Sequence, residues 1–172
     1  MNRHNHNRIL SIVFILSFIN CENRWSDENL FISQYEFEDF SQFKGSSIFI
    51  RGVDLEKNPV VFINAPYLLN DTLRTGMYAV TIDKNSHNVI MSKWLTNYFN
   101  QADTLKLQKL AQKFISYKIS GLIVDTNENT FVYLENIQHL SLAKIIRDTN
   151  TQDLCKGKRW VKLKKYWYGF EE

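Results

Sequence analysis

The stretch GMYAVTIDKNSHNVIM, from Gly76 to Met91, indicates the fold more directly than any other part of the chain. It holds two runs of apolar, β-branched and aromatic residues, Gly76–Asp83 and His87–Met91, on either side of the polar tripeptide Lys84–Ser86. Two such runs separated by a short polar turn are typical of a β-hairpin. The sequence therefore predicts a pair of antiparallel strands here.

Strand-like patterns also occur upstream of this hairpin. The segments Ser47–Arg51 and Val60–Asn64 are short β-branched and aromatic runs, and a polar, turn-rich segment separates them. Nearer the N-terminus, Phe31, Tyr35 and Phe37 alternate with polar residues, which predicts an earlier strand.

The pattern downstream of the hairpin is helical. Ser92 is a suitable N-cap for a short helix that would run to Asn100, and Asp103 is a suitable N-cap for a second one. Gly121 lies beyond the end of this second helix. Apolar residues in the second helix recur at the spacing of a single helical face: Leu107, Leu110, Ala111, Phe114 and Tyr117.

The last third of the chain predicts more strands. Leu122–Val124 and Thr130–Glu135 are expected to form a second hairpin across a polar turn. Gln138–Arg147 is ambiguous between helix and strand, and a short helix is the favoured interpretation. Arg159–Tyr168 alternates in the manner of an edge strand with one face in water.

Together these elements predict an α+β fold. Runs of strand, then helix, then strand favour a mostly antiparallel sheet with two to three helices on one face. The chain has 172 residues, of which 44% are hydrophobic, so a single domain can bury a core without disulfides.

The N-terminus has the layout of a secretory leader. Arg3 and Arg8 precede the apolar run Ile9–Ile19, and Cys21 follows it closely. The run is too short to cross a bilayer in helical form, which needs about 20 residues. A signal peptide therefore accounts for the run better than a membrane anchor does.

The residues Leu16-Ser17-Phe18-Ile19-Asn20-Cys21 resemble the lipobox of bacterial lipoproteins. The resemblance implies diacylglyceryl transfer to the Cys21 thiol, cleavage before it and acylation of the new amino group. The chain would then comprise a signal peptide (1–20), a lipidated tether (21–29) and one α+β domain (30–172). The expected location is the cell envelope, anchored in the inner or the outer membrane. A soluble secreted protein that keeps Cys21, free or bridged to Cys155, is the alternative.

Three patterns contain the residue types of a catalytic or metal-binding site, but none predicts a catalytic residue, a metal site or a cofactor. Asp125-x-Asn127-x-Asn129 resembles the start of a calcium loop but lacks the glycine and glutamate that such a loop needs, so a polar hairpin turn is preferred. Asp83, Ser86 and His87 have the residue types of a hydrolytic triad, but they crowd into one turn. His87 and His139 are too few for a histidine-rich zinc site.

The C-terminal segment is the strongest candidate for a contact surface. It combines bases with aromatic residues and suggests either a lysine-protected sheet edge or a surface for an acidic protein partner or anionic lipid headgroups. Nucleic acid is not an expected partner of an exported protein. The candidate residues are Lys156, Lys158, Arg159, Lys162, Lys164, Lys165, Trp160 and Trp167.

The sequence thus predicts a lipid-anchored envelope protein with a non-enzymatic binding, accessory or protective role, such as immunity to a toxin. The alternative is a small envelope hydrolase with a dispersed carboxylate site. A flat aromatic patch would favour binding, whereas a deep polar cleft that holds carboxylates of perturbed pKa would favour the enzyme.

Overall fold

The computed structural model describes residues 25–69, 72–96, 101–134, 140–146 and 159–171. The chain divides into two compact units, Met1–Glu36 and Phe37–Glu172. The predicted signal peptide and Cys21 lie outside the described residues, and so do Cys155 and His139.

The described part of the first unit is helical. Helix α1 spans Ser26–Tyr35, where the sequence predicts a tether followed by a strand. Two physical features explain why the strand prediction is wrong. The acidic residues Asp27 and Glu28 occupy the first turn, where they complement the positive end of the helix dipole. Phe31 and Tyr35 are four positions apart, which stacks their rings on one helical face with 4.8 Å between the centroids.

The second unit contains one antiparallel sheet of nine strands in the order β4-β3-β2-β1-β5-β6-β7-β9-β8. A 3₁₀ turn, Ser41–Phe43, precedes the sheet, and helix α2, Gln101–Ser116, follows β4. The strands are β1 Ser46–Val53, β2 Pro59–Leu69, β3 Thr72–Ile82, β4 Val89–Trp94, β5 Ile119–Val124, β6 Thr130–Leu134, β7 Leu142–Lys144, β8 Arg159–Lys162 and β9 Trp167–Glu171. The fold is therefore α+β in the broad sense, dominated by an antiparallel sheet.

Both predicted hairpins are confirmed. β3 pairs antiparallel with β4 around the turn that follows Ile82, and β5 pairs antiparallel with β6 around the turn that follows Val124. No helix in the described ranges has both the length and the apolar character needed to cross a membrane.

In three further segments of the described chain the predicted element is wrong. Ser92 does not cap a helix but lies in β4 opposite Val80. The segment expected to be helical around Gln138–Arg147 contains β7, a short strand buried on both faces, which shows no alternation for a pattern to detect. Arg159–Tyr168 is not one strand, because a turn at residues 163–166 divides it between β8 and β9. Of these two strands, β8 is an edge strand and β9 is internal.

Helix α2 packs against one face of the sheet, the inner face. Its amide Gln108 Nε2 lies 3.4 Å from Tyr78 Oη and 2.8 Å from Ser92 Oγ. Tyr78 belongs to a cross-strand row with Ile63, Ile48 and Leu122, and all four side chains are buried. The apolar face predicted for the helix is also buried. The helix begins at Gln101, so Asp103 lies in its first turn and is not its N-cap.

Candidate functional site

The opposite, outer face of the sheet carries a row of aromatic side chains. Phe62 in β2 lies opposite Phe49 in β1, and Phe49 lies opposite Gly121 in β5, which in turn lies opposite Tyr133 in β6. Side chains alternate between the two faces of a strand, so these residues point away from the inner face to which Ile48 and Ile63 belong. Phe49, Phe62 and Tyr133 are each only partly buried.

Gly121 makes this row continuous. The rings of Phe49 and Tyr133 meet edge to face across β5, with centroids 5.2 Å apart. A Cβ atom on Gly121 would lie 2.4 Å from the ring of Phe49 and 3.2 Å from that of Tyr133. Only a residue without a side chain allows the two rings to pack over the intervening strand.

The aromatic surface continues toward β8. A second buried cluster, Phe131, Leu140, Ala143 and Phe170, has Tyr133 and Trp160 packed against it. The ring of Trp160 lies 4.6 Å from that of Phe170 and 5.8 Å from that of Tyr168. We call the five partly buried aromatic residues of the outer face the aromatic surface. They are Phe49, Phe62, Tyr133, Trp160 and Tyr168.

The charges that accompany the aromatic surface are positive. Among the described strand positions of the outer face, the charged residues are Arg51, Lys93 and Lys162, and all three are exposed. The guanidinium carbon of Arg51 lies 4.9 Å from the ring centroid of Phe49, within the range of a cation–π interaction. The outer face thus combines partly exposed aromatic side chains with exposed basic residues.

The structure places only some residues of the predicted C-terminal contact surface at the protein surface. Lys156 and Lys158 lie outside the described residues. Arg159, Lys162, Lys164 and Lys165 are exposed in β8 and in the turn after it. Trp160 joins the aromatic surface. Trp167 is 1% exposed, so it belongs to the core and not to a contact surface.

The lysines of this segment give a first testable prediction. Val161 and Leu163 are partly buried whereas Lys162 and Lys164 are exposed, in agreement with the predicted alternation. Replacing both lysines with glutamate should change the free energy of unfolding by about 1 kcal/mol or less, because exposed charges contribute little. Chemical denaturation measures this effect.

The matched control for that variant is Leu163→Asp, which places a charge at the partly buried position between the two lysines. It should destabilise the protein more than the double reversal does. If the lysines contact an acidic partner or anionic lipid, the folded double variant should also lose that binding, and wild-type binding should weaken as salt is added. Equal destabilisation by the two variants would contradict the assignment.

The segment 125–129, which resembles the start of a calcium loop, forms a turn that its own hydrogen bonds stabilise. Asp125 Oδ1 accepts hydrogen bonds from the backbone N–H groups of Asn127 and Asn129, both at 2.8 Å. The side-chain amide of Asn129 donates to Asp125 Oδ2 at 3.0 Å, and its Oδ1 accepts from the backbone N–H of Ile146 at 2.9 Å. The polar hairpin turn preferred from the sequence is confirmed, because these oxygens are already used within the protein.

The β1–β2 hairpin repeats this turn, which sequence reasoning missed. Asp54 Oδ1 accepts from the backbone N–H groups of Glu56 and Asn58, and the Asn58 amide donates to Asp54 Oδ2 at 3.0 Å. Asn58 Oδ1 accepts from the backbone N–H of Lys84, which follows β3. The shared pattern Asp-x-x-x-Asn at both hairpins is the signal that would have identified the pair.

Asp83, Ser86 and His87, which have the residue types of a hydrolytic triad, also lie in a turn. Asp83 Oδ1 accepts hydrogen bonds from the backbone N–H of Asn85 and from the backbone N–H and hydroxyl of Ser86. The bonds from Ser86 hold the pKa of Asp83 below its usual range. His87 takes a positive φ of 57° in the same turn, and its carbonyl accepts from Gln112. No histidine–serine hydrogen bond joins these residues, so they do not form a triad.

The Glu38 carboxylate bonds to residues that lie far from it in the sequence. Tyr117 donates to Glu38 Oε1 at 2.8 Å, and Lys113 Nζ lies 3.1 Å from the same oxygen. Burial favours the neutral acid, but the bonds from Tyr117 and Lys113 outweigh it and lower the pKa of Glu38. In addition, Lys144 donates to the backbone carbonyl of Glu38 at 2.9 Å. This arrangement ties the segment before β1 to α2 and β7.

The remaining carboxylates of shifted pKa are Glu28, Asp39 and Asp54. Burial of Glu28 in α1 raises the pKa of that carboxyl. Asp39 and Asp54 have lowered pKa values because each accepts hydrogen bonds in its own turn, from Ser41 and Asn58 respectively. In the described residues, no group of three or more histidine, cysteine, aspartate or glutamate side chains is placed to hold a metal ion.

No protein-family model matches the chain, and searches of curated protein sequences and of solved structures also find no match.

Proposed function

We propose that this protein is a lipid-anchored component of the bacterial cell envelope that binds another protein through the outer face of its sheet. The role is accessory or protective, as in immunity to an envelope-directed toxin, and it requires no catalysis. Cys21 carries the lipid, and the aromatic surface contacts the partner.

The observation that carries this proposal is the aromatic surface itself. Aromatic residues and arginine dominate the energetics of protein interfaces, because they bury large areas at a low cost in conformational entropy. Phe49, Phe62 and Tyr133 present such area on neighbouring strands, and Arg51 lies against the ring of Phe49. The exposed basic residues of the outer face favour a partner with an acidic surface, since complementary charge speeds association and excludes wrong partners.

The alternative, an envelope hydrolase with a dispersed carboxylate site, has less support. A general acid or base needs its carboxyl group in a cleft with substrate access. In the described residues, the carboxylates whose pKa is lowered belong to turns, as for Asp54 and Asp83, or to the ion pair between Glu38 and Lys113. A stability role accounts for each of them.

The proposal treats residues 30–172 as one α+β domain. Helix α2 packs on the inner face of the sheet, so it does not cover the aromatic surface on the outer face. A partner found by crosslinking in the native membrane is the starting point for its tests.

A single exposed residue tests the role of the outer face. Met77 is 40% exposed and shares a cross-strand row with Asn64 on that face. We expect Met77→Glu to weaken binding of the crosslinked partner by about tenfold or more, because it places a charge in a desolvated interface. Calorimetric titration of the purified pair measures the change.

The matched control is Leu105→Glu, which adds the same charge at an exposed leucine on α2. It should leave the affinity of that partner within about twofold of wild type, since an uninvolved surface substitution has little effect. Equal losses in both variants, or none in Met77→Glu, would show that the outer face is not the interface.

The anchor is tested separately. Cys21→Ala should release the protein into the soluble fraction or leave it as an uncleaved precursor, because acyl chains contribute about 0.8 kcal/mol per buried CH₂ group to membrane binding. Cell fractionation and intact-protein mass spectrometry read out both results. Wild-type protein that is soluble and carries no acyl mass would refute the anchor while leaving the outer-face test intact.

A further inference from the structure

A basic hollow lies beside α2, away from the aromatic surface. It has a volume of about 650 Å³ and is open to solvent. Its walls come from α2 and from the segment before β1. The lining residues are Ser41, Gln42, Lys44, Leu105, Lys106, Lys109 and Leu110.

Three lysines from two separate elements line this hollow. Lys106 and Lys109 are exposed and lie one turn apart on α2, so they share a helical face. Lys44 approaches from the other wall and forms an exposed ion pair with Glu128, with 2.9 Å between Nζ and Oε1. None of the lining residues of the hollow is acidic.

The lysines of α2 differ in how their charge is compensated. Lys113 pairs with Glu38 at 3.1 Å, whereas neither Lys106 nor Lys109 forms an ion pair with any residue in the described part of the chain. Two like charges one turn apart on a helix repel each other. An anion bound between them would relieve that repulsion.

A smaller cleft extends the hollow toward the sheet. Its volume is about 50 Å³, and it shares Gln42, Lys44, Lys106 and Leu110 with the hollow. Ser46 and Asp103 also line it. Asp103 is its single carboxylate, so the positive charge of the lysines predominates at the entrance.

We propose that this hollow binds a small soluble phosphate ester, with the phosphate between Lys44, Lys106 and Lys109. Lysine binds phosphate as a point charge, and three lysines suit a group that carries two negative charges. The volume lies in the range of ligand sites, about 300–1,000 Å³. Leu105 and Leu110 offer apolar contact to the organic part of such a ligand.

The arrangement of the lysines on two walls favours a small soluble ester. Lys44 lies on one wall of this open hollow and Lys106 and Lys109 lie on the other, so one phosphate group can contact both walls. The site is also independent of the proposed partner surface, because the hollow involves α2 and the aromatic surface lies on the face opposite that helix.

Titration with inorganic pyrophosphate, followed by amide NMR shifts of the folded protein, tests this proposal. We expect saturable shifts at the residues that line the hollow. Lys106→Gln with Lys109→Gln should weaken the affinity by about tenfold or more, since it removes two of the three positive charges that line the hollow. Glutamine is almost as good a helix former as lysine, so α2 should remain intact. Lys44→Gln, on the opposite wall, should also weaken binding.

The matched control is Lys93→Gln with Lys162→Gln, which removes the same charge from the outer face. It should keep the affinity for pyrophosphate within about twofold of wild type. An equal loss in this control, or no saturation by pyrophosphate in the millimolar range, would overturn the proposal. Binding to phosphatidylglycerol vesicles without binding to pyrophosphate would overturn it as well.

Discussion

Gly121→Ala is expected to lower the free energy of unfolding by about 1–3 kcal/mol, the usual cost of overpacking. The added Cβ would lie 2.4 Å from the ring of Phe49, closer than such atoms approach. The ring has to move, which breaks its edge-to-face contact with Tyr133. Because β5 is a central strand between β1 and β6, a shift of its backbone would disturb pairing on both sides. Urea denaturation of both proteins measures the difference.

A double-mutant cycle separates this clash from a general effect of alanine. Phe49→Ala removes the ring atoms that the new Cβ would meet. If the clash is responsible, Gly121→Ala should cost less in the Phe49→Ala background than in wild type, by about 0.5 kcal/mol or more. Additive effects of the two substitutions would show that the ring does not limit the size of residue 121. Loss of partner binding by the folded Gly121→Ala protein would further link the aromatic surface to function.

Asn129→Ala is expected to cost about 2–3 kcal/mol, because it removes two hydrogen bonds at a side chain with no solvent exposure. The Asp125 carboxylate loses the donor on its Oδ2, and the backbone N–H of Ile146 loses its acceptor. These bonds join the β5–β6 turn to the end of β7, so their loss should loosen the sheet on this side. Thermal and chemical unfolding measure the loss.

The matched control is Asn127→Ala in the same turn. Asn127 contributes its backbone N–H to Asp125 but is only partly buried, so this change should cost less than about 0.5 kcal/mol. Asn58→Ala should resemble Asn129→Ala, since Asn58 is 2% exposed and has the same two kinds of partner. A large effect of Asn127→Ala that calcium reverses would instead favour the ion-binding interpretation of this turn.

Local pattern was sufficient to predict both hairpins. In Gly76–Met91 and in residues 122–134, apolar runs flank a turn whose aspartate accepts backbone hydrogen bonds a few residues later. The apolar face of α2 was also predictable, because its spacing is that of a helix. These features depend on residues close together in the chain.

The errors occur where two structures share one local pattern. Phe31 and Tyr35 alternate with polar residues as in a strand, yet their spacing also fits one helical face, and the acidic first turn favours the helix. β7 has only three residues and is buried on both faces, so it shows no alternation. The turn at Asp125 was predicted, but its similarity to the turn at Asp54 was not, because that similarity is confined to a few residues in each.

By itself the sequence determined which segments form hairpins and which side of α2 is apolar, since neighbouring residues fix both properties. Only the tertiary structure decided that β1 and β5 lie side by side, because backbone hydrogen bonds carry no signal that identifies a distant partner strand. That pairing places Gly121 beside Phe49 and so creates the aromatic surface. Likewise, the basic hollow exists because folding brings Lys44 near a helix that lies far along the chain.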